Sequence, residues 1–266
     1  MIDQFGTRSV QEYLLPIMET IDKICRENHI EYSLMGGGLL GAVRHGGFIP
    51  WDDDLDIVFS RQEYQRFLKV CETQLPPEYM IFASIWVKRI TRKDNDRIHE
   101  EEGCVDLFVF DNVPDHPLQR NVKHLLLKVL QGMIKEHPRY TGMSVFHRCA
   151  VAATHIVGLL FPREVKLKLY SLVSQWGNDK ESRYVNNYVT YYSMISTKRY
   201  EKRATLEFMD SYFEGRKVRI FKDYDSILTT QFGNYHVLPP ENERWPKHLK
   251  NVQCIFSSHG DNIKLF

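Results

Sequence analysis

Five cysteines in 266 residues, at positions 25, 71, 104, 149 and 254, are too few and too scattered for a disulfide scaffold. No two of them stand as C-x-x-C, so no structural zinc site is expected. Reduced thiols in a cytoplasmic chain are the expectation. Charge of one sign is missing too, since 35 Lys and Arg meet 34 Asp and Glu. No global field draws the chain to nucleic acid, so anions must be met by locally placed groups. The opening residues, MIDQFGTRSVQEYLL, lack a basic segment followed by an apolar one, which predicts no secretory signal. Long apolar runs are absent. The most apolar stretch, Cys149 to Phe161, contains His155 and falls short of the roughly 20 residues a spanning helix needs. It reads as a buried helix, with an interfacial helix lying peripherally on the inner membrane as the alternative. Internal repeats and low-complexity tracts are also lacking.

What is present suffices for one large domain or two small ones, with 43% hydrophobic and 26% charged residues, an ordinary globular balance. Apolar residues at Val10, Leu14, Ile17, Met18, Ile21 and Ile24 predict a helix over Ser9–Glu27, which Pro16 is expected to kink or restart. A short strand at Glu31–Met35 follows, then three glycines, Gly36 to Gly38, and a short helix LLGAVR. Asp54–Phe59 reads as a strand, and Ser60 with Glu63 as a capping box opening a helix to about Thr73. Further strands are predicted at Met80–Ser84, Trp86–Ile90 and Cys104–Phe110, with a charged loop over Lys93–Gly103. From Pro117 to about Tyr192 the pattern turns helical. A hairpin over Leu206–Phe221, turning at Glu214-Gly215-Arg216, and a helix ending at Gly233 complete the chain. The expected fold is α+β: a mixed sheet flanked by helices over 1–115, then a largely helical part with the closing hairpin and helix over 116–266.

The segment MGGGLLGAVRHGGFIPWDDDLDIVF carries the chemistry. Residues two apart in a strand share a face, so Asp54 and Asp56 project together while Leu55 and Ile57 turn into the core. Carboxylates roughly 7 Å apart on one face repel each other unless a cation lies between them. A hard divalent ion, Mg²⁺ or Mn²⁺, suits such an all-oxygen site. Asp106 stands in the apolar run CVDLFVF, where a lone carboxylate is expensive to bury. If its strand neighbours that of Asp56, it supplies a third acid, as metal ligand or proton acceptor. An EF-hand is the natural rival, since Asp52, Asp54, Asp56 and Glu63 fit its spacing. It fails at Ile57, where the loop needs glycine. A solvated acidic turn would account for Asp52 and Asp53 but not for acids threaded among Leu55, Ile57, Val58 and Phe59. The glycines allow close backbone approach to a phosphate, and Arg44 and His45 follow where they could reach one.

The run from Tyr32 to Phe59 resembles the signature of the LicD family, within the nucleotidyltransferase-fold superfamily. VDLFVFDNVPD is similar to that family's second block. VRIFKDYDSILTTQFGNYHVLPP resembles its closing block, with Asp223, Tyr224, Leu228, Gly233 and Pro239 in order. Two departures are Gly38, where relatives commonly carry threonine, and Val109, where they carry proline. The resemblance implies a nucleotidyltransferase-like catalytic core. In it Asp54 and Asp56 hold the metal, Asp106 is the third acid, Asp52 assists, and Gly37 and Gly38 line the donor phosphates. It implies transfer of a phospho-alcohol, phosphocholine above all, from CDP-choline or another CDP-alcohol to a sugar hydroxyl of a surface glycan or glycolipid, such as lipopolysaccharide, teichoic acid or capsule. A choline cargo would want aromatic faces, for which Trp51, Tyr191, Tyr192 and Trp245 are candidates. Two alternatives stay open: a nucleotidyltransferase that consumes an NTP and releases pyrophosphate, and a non-catalytic nucleotide-binding relative.

Overall fold

The computed structural model describes residues 4–84, 87–94, 103–135, 144–189 and 198–247. These fall into two compact units, one running to Val109 and resuming at Arg203, the other Phe110–Lys202.

The first unit opens with helix α1 (Arg8–Glu27), whose Leu14, Ile17, Met18 and Ile21 are fully buried. Pro16 lies inside this helix and does not end it. Its missing amide hydrogen costs one helical bond, and the buried face on both sides holds the rod together. Strand β1 (Ser33–Met35) leads into helix α2 (Gly36–Arg44). Strand β2 (Leu55–Ser60) then leads into helix α3 (Arg61–Gln74). Ser60 accepts the Glu63 amide as half of the capping box, at 3.3 Å. The Glu63 carboxylate does not reach back; it accepts the Glu31 amide and pairs with Arg66.

Strands β3 (Tyr79–Ser84), β4 (Val87–Arg92) and β5 (Val105–Val113) follow, in the order β1-β2-β5-β4-β3. The pairs β1–β2, β3–β4 and β4–β5 are antiparallel. Most of the charged loop expected at 93–103 lies outside the described residues. After residue 203 the chain returns as a separate hairpin, β8 (Phe208–Phe213) with β9 (Arg216–Phe221), and helix α7 (Tyr224–Phe232). Glu214 and Gly215 turn the hairpin with positive φ, the conformation a two-residue hairpin loop demands. The hairpin seats on β1: the Phe221 amide donates to Ser33 Oγ, and the Arg219 amide to the Tyr32 hydroxyl.

The second unit contains helices α4 (Pro117–Ile134), α5 (Val145–Gly158) and α6 (Arg163–Gln175). It also holds two strands that the sequence did not announce: β6 (Tyr184–Asn187), antiparallel to the far half of β5, and β7 (Tyr200–Glu201). Four polar-ended residues, YVNN, give too short an alternation to read. Both α5 and α6 pack on α4. At the α4–α5 contact a Cβ on Gly158 would lie 2.3 Å from the Met133 carbonyl oxygen, so the backbones touch directly. Lys123 is fully buried, donating to the carbonyls of Asn112 and Trp176 over the Tyr188 ring.

Candidate active site

The acids sit on a loop tied down from three directions. Gly46 takes positive φ and Gly47 packs against the hairpin tip, where Glu214 accepts the Phe48 amide and donates its own amide to the Gly46 carbonyl. From α1, Gln11 Nε2 donates to the carbonyls of Asp52 (2.8 Å) and Ile49 (3.3 Å). Thr7 Oγ1 donates to the Pro50 carbonyl. From the far side, the Lys247 amide donates to Asp53. Asp53 is buried and therefore part of this strapping, contrary to the solvated turn that a D-D-D run suggests. Gln11 and Thr7 escape a sequence reading because their partners lie some forty residues away. Gln11→Ala removes the side-chain donor from the Asp52 carbonyl and leaves the Ile49 carbonyl with the Asp52 amide alone, so a loss of about 1–3 kcal/mol is expected in denaturant unfolding. Activity should fall further than this loss explains, because the acids themselves are displaced.

Asp54 directly precedes β2 and Asp56 lies within it, opposite Met35 of β1. Leu55 and Ile57, which alternate with them along the chain, are fully buried. Strand β5 neighbours β2 and carries Asp106. The carboxyl of Asp56 is enclosed by protein although the residue keeps some solvent contact. Burial pushes it well above the usual carboxylate range, and Asp54, Asp106 and Asp52 push it in the same direction. The four acids thus share one electrostatic neighbourhood. Arg89 of β4 acts against the rise. It stands opposite Asp106 and grips it with Nε–Oδ1 at 2.5 Å and Nη2–Oδ2 at 3.2 Å. This clamp was not foreseen, since in sequence Arg89 is one more base in a β-hairpin.

The three glycines do not form a turn ahead of a helix; they are the first residues of α2. A Cβ on Gly37 would lie 1.9 Å from Asp52 Oδ2, and one on Gly36 2.6 Å from Asp56 Oδ2. Carboxylates thus crowd the positive end of the helix, where a negative charge is favoured. Gly38 faces the other way: its Cβ would meet Leu55 and Leu34 of the core, so a threonine side chain there would point inward.

The remaining candidates are engaged in structure. Arg44 Nη1 donates to the Tyr235 carbonyl at 2.7 Å, tying α2 to the segment after α7. His45 caps α2 at the surface, its imidazole pushed below the ordinary range by partial burial and by Arg44. Trp51 packs edge-on to Phe5, and the Arg244 guanidinium lies 5.7 Å over its ring. Trp245 is half-buried; Tyr191 and Tyr192 lie outside the described residues. In the closing block, Asp223 caps α7 through the Ser226 amide, Leu228 is core, and Gly233 takes positive φ, so these three serve the fold.

Among the described residues no three His, Cys, Asp or Glu side chains stand together in metal-holding geometry. The donor set nonetheless fits a hard divalent ion. It is all carboxylate, and the enclosed Asp56 feels three further acids while Arg89 is committed to Asp106. Asp54 and Asp56 would hold the ion, with Asp52 adjacent. Asp106 would have to share an oxygen now held by Arg89.

Residues 29–125 match the family described as LicD/FKTN/FKRP, nucleotidyltransferase domain, a span that holds α2, the acid loop, β2 and β5. Along 270 aligned residues, 93% of this chain and 98% of the relative, the sequence is 28% identical to "Lipopolysaccharide cholinephosphotransferase LicD" of Haemophilus influenzae. The similarity to LicD proteins is thus centred on residues 29–125 and extends at lower identity along most of the chain. It is also 50% identical over 128 residues to an uncharacterized protein of Rickettsia prowazekii, covering 46% of this chain and 48% of that one. A Rickettsia typhi protein, likewise uncharacterized, is 32% identical over 104 residues, 38% of this chain and 30% of its own length. All four acids fall within the matched domain, whereas the hairpin straps and Gln11 fall outside it.

Proposed function

We propose that this chain is a LicD-type, metal-dependent transferase that moves phosphocholine from CDP-choline to a sugar hydroxyl of a cell-surface glycan. The observation that carries this reading is Asp56, an enclosed carboxyl beside Asp54, Asp52 and Asp106. Its setting is a chain similar over almost its whole length to a lipopolysaccharide cholinephosphotransferase. Asp54 and Asp56 would hold Mg²⁺ or Mn²⁺, which would offset the negative charge of the donor pyrophosphate. The first turn of α2 adds positive potential beside them. The acceptor hydroxyl oxygen bonds to the β-phosphorus in line with the departing oxygen, which leaves on CMP. The hydroxyl proton passes to Asp106 as Arg89 releases one carboxylate oxygen. Such chemistry depends on positioning and charge neutralisation more than on covalent help. Trp51 already holds a cation over its ring, so a quaternary ammonium seated there would replace Arg244.

The domain description also names nucleotidyltransfer, which would attack the α-phosphorus of an NTP instead. Incubation with Mg²⁺, lipopolysaccharide and either labelled CDP-choline or labelled CTP separates the two. Release of CMP with label on the glycan is the expected result; pyrophosphate from CTP, with CDP-choline untouched, would replace this reading by the other.

A further inference from the structure

We infer that the α4–α5–α6 face of the second unit is a docking surface for an anionic lipid bilayer. Two of the helices, α4 and α6, expose apolar side chains in ordered stripes. On α4 they are Leu118, Val122, Leu125 and Leu126, spaced i, i+4, i+7, i+8. On α6 they are Val165, Leu169 and Leu172, running on to Trp176 just past its end. Each stripe is opposite to a buried one: Leu127, Leu130 and Ile134 on α4, Tyr170 and Ser174 on α6. Each of these two helices thus carries an exposed apolar stripe in addition to the side it buries. The first turn of α5 shows Phe146 at 78% exposure, and the bend after it shows Leu159 at 70% and Leu160 at 78%. Scattered apolar residues are normal on a surface, but exposed apolar residues repeated at helical spacing mark an interaction site.

Charge decides the occupant. Arg120, Lys128, Arg148, Arg163 and Lys168 lie exposed or half-buried on these helices, and Glu164 is their one acidic residue. The chain as a whole is balanced, so the excess is local. Helices that combine exposed apolar stripes with an excess of bases fit a bilayer interface carrying anionic headgroups. The geometry suits lying on a membrane, not crossing it: no single helix among the described residues is long and apolar enough to span. The apolar pair α5 and α6 bends by 118° between its members. The direct backbone contact at Gly158 keeps α5 pressed on α4, so the exposed side of α5 is not one that closes inward. The inference does not depend on the transfer chemistry.

The test is co-sedimentation of the full chain with phosphatidylglycerol vesicles and, separately, with phosphatidylcholine vesicles. Binding to the first and not the second is expected, weakened by salt. The double variant Phe146→Asp, Leu160→Asp should bind at least about tenfold more weakly, because each side chain loses its transfer into the apolar layer. Both residues are exposed, so its thermal melt should match the parent, and donor turnover without lipid should be unchanged. Arg148→Glu should weaken binding to the anionic vesicles and steepen no other property. Absence of vesicle binding, or equal binding by the double variant, would overturn the proposal. So would lipid-free self-association in sedimentation velocity that the double variant abolishes, which would assign the face to a second copy of this chain.

Discussion

Asp56→Asn is expected to lower turnover by at least about 10³-fold while making the metal-free protein more stable than its parent. The two effects share one cause. Burial and the charges of Asp54, Asp106 and Asp52 hold the Asp56 carboxyl well above the usual range. The folded state therefore keeps this proton to a higher pH than the unfolded chain does. Between the ordinary aspartate value, about 4, and the raised folded value, stability must fall as pH rises. Asparagine keeps the shape and removes the ionisation, so that portion of the slope should vanish. Thermal melts across this range, with and without Mn²⁺, read the result directly. The parent should gain stability from the ion by mass action and Asp56→Asn should not. Turnover close to the parent's, or an unaltered pH slope, would remove Asp56 from the centre of the site.

The second large effect is expected at Arg89, a residue without direct donor contact in the proposed mechanism. Its fork grips Asp106 on adjacent strands, with side-chain exposures of 10% and 20%. Removing one partner of so enclosed a pair strands the other charge, at a typical cost of about 3–5 kcal/mol. Here the stranded carboxylate also faces Asp56. Arg89→Met should therefore destabilise the metal-free protein by about 3 kcal/mol in denaturant unfolding. Divalent ion should recover much of this, because the metal replaces the lost positive charge. Adding Asp106→Asn to the same chain should restore stability without metal. Arg89→Lys should fall between, since an ammonium keeps the charge but not the two-point grip. A destabilisation indifferent to both metal and Asp106→Asn would show that Arg89 acts through packing alone.

Local chemistry was legible in the sequence and distant partnership was not. The strand holding Asp56 follows from alternation within six residues, the start of α3 from Ser60 with Glu63, and the β8–β9 turn from Glu214-Gly215. In each case the cause and the effect lie within a few positions. Asp106 was readable as well, because a carboxylate in CVDLFVF is anomalous wherever its neighbours lie. Arg89 was not, since nothing about an arginine in a hairpin announces the acid seventeen residues on that it will clamp. Gln11 looked like one polar position on an amphipathic helix, and Asp53 like part of a hydrated run. Their roles exist only once the loop is folded against them. The glycines were correctly singled out as places of close approach, but the close group is protein: Asp52 and Asp56 occupy the space their side chains would need.

The three-way fastening of the acid loop bears on how the molecule matures during synthesis. Strand β2 and its aspartates leave the ribosome early, with Thr7 and Gln11 already available. Glu214 and the Lys247 amide emerge only after the whole second unit has been made. A nascent chain thus displays every carboxylate long before the geometry that gives them a purpose. Full fastening of the loop is therefore a late event, which waits for Glu214 and Lys247 to be made.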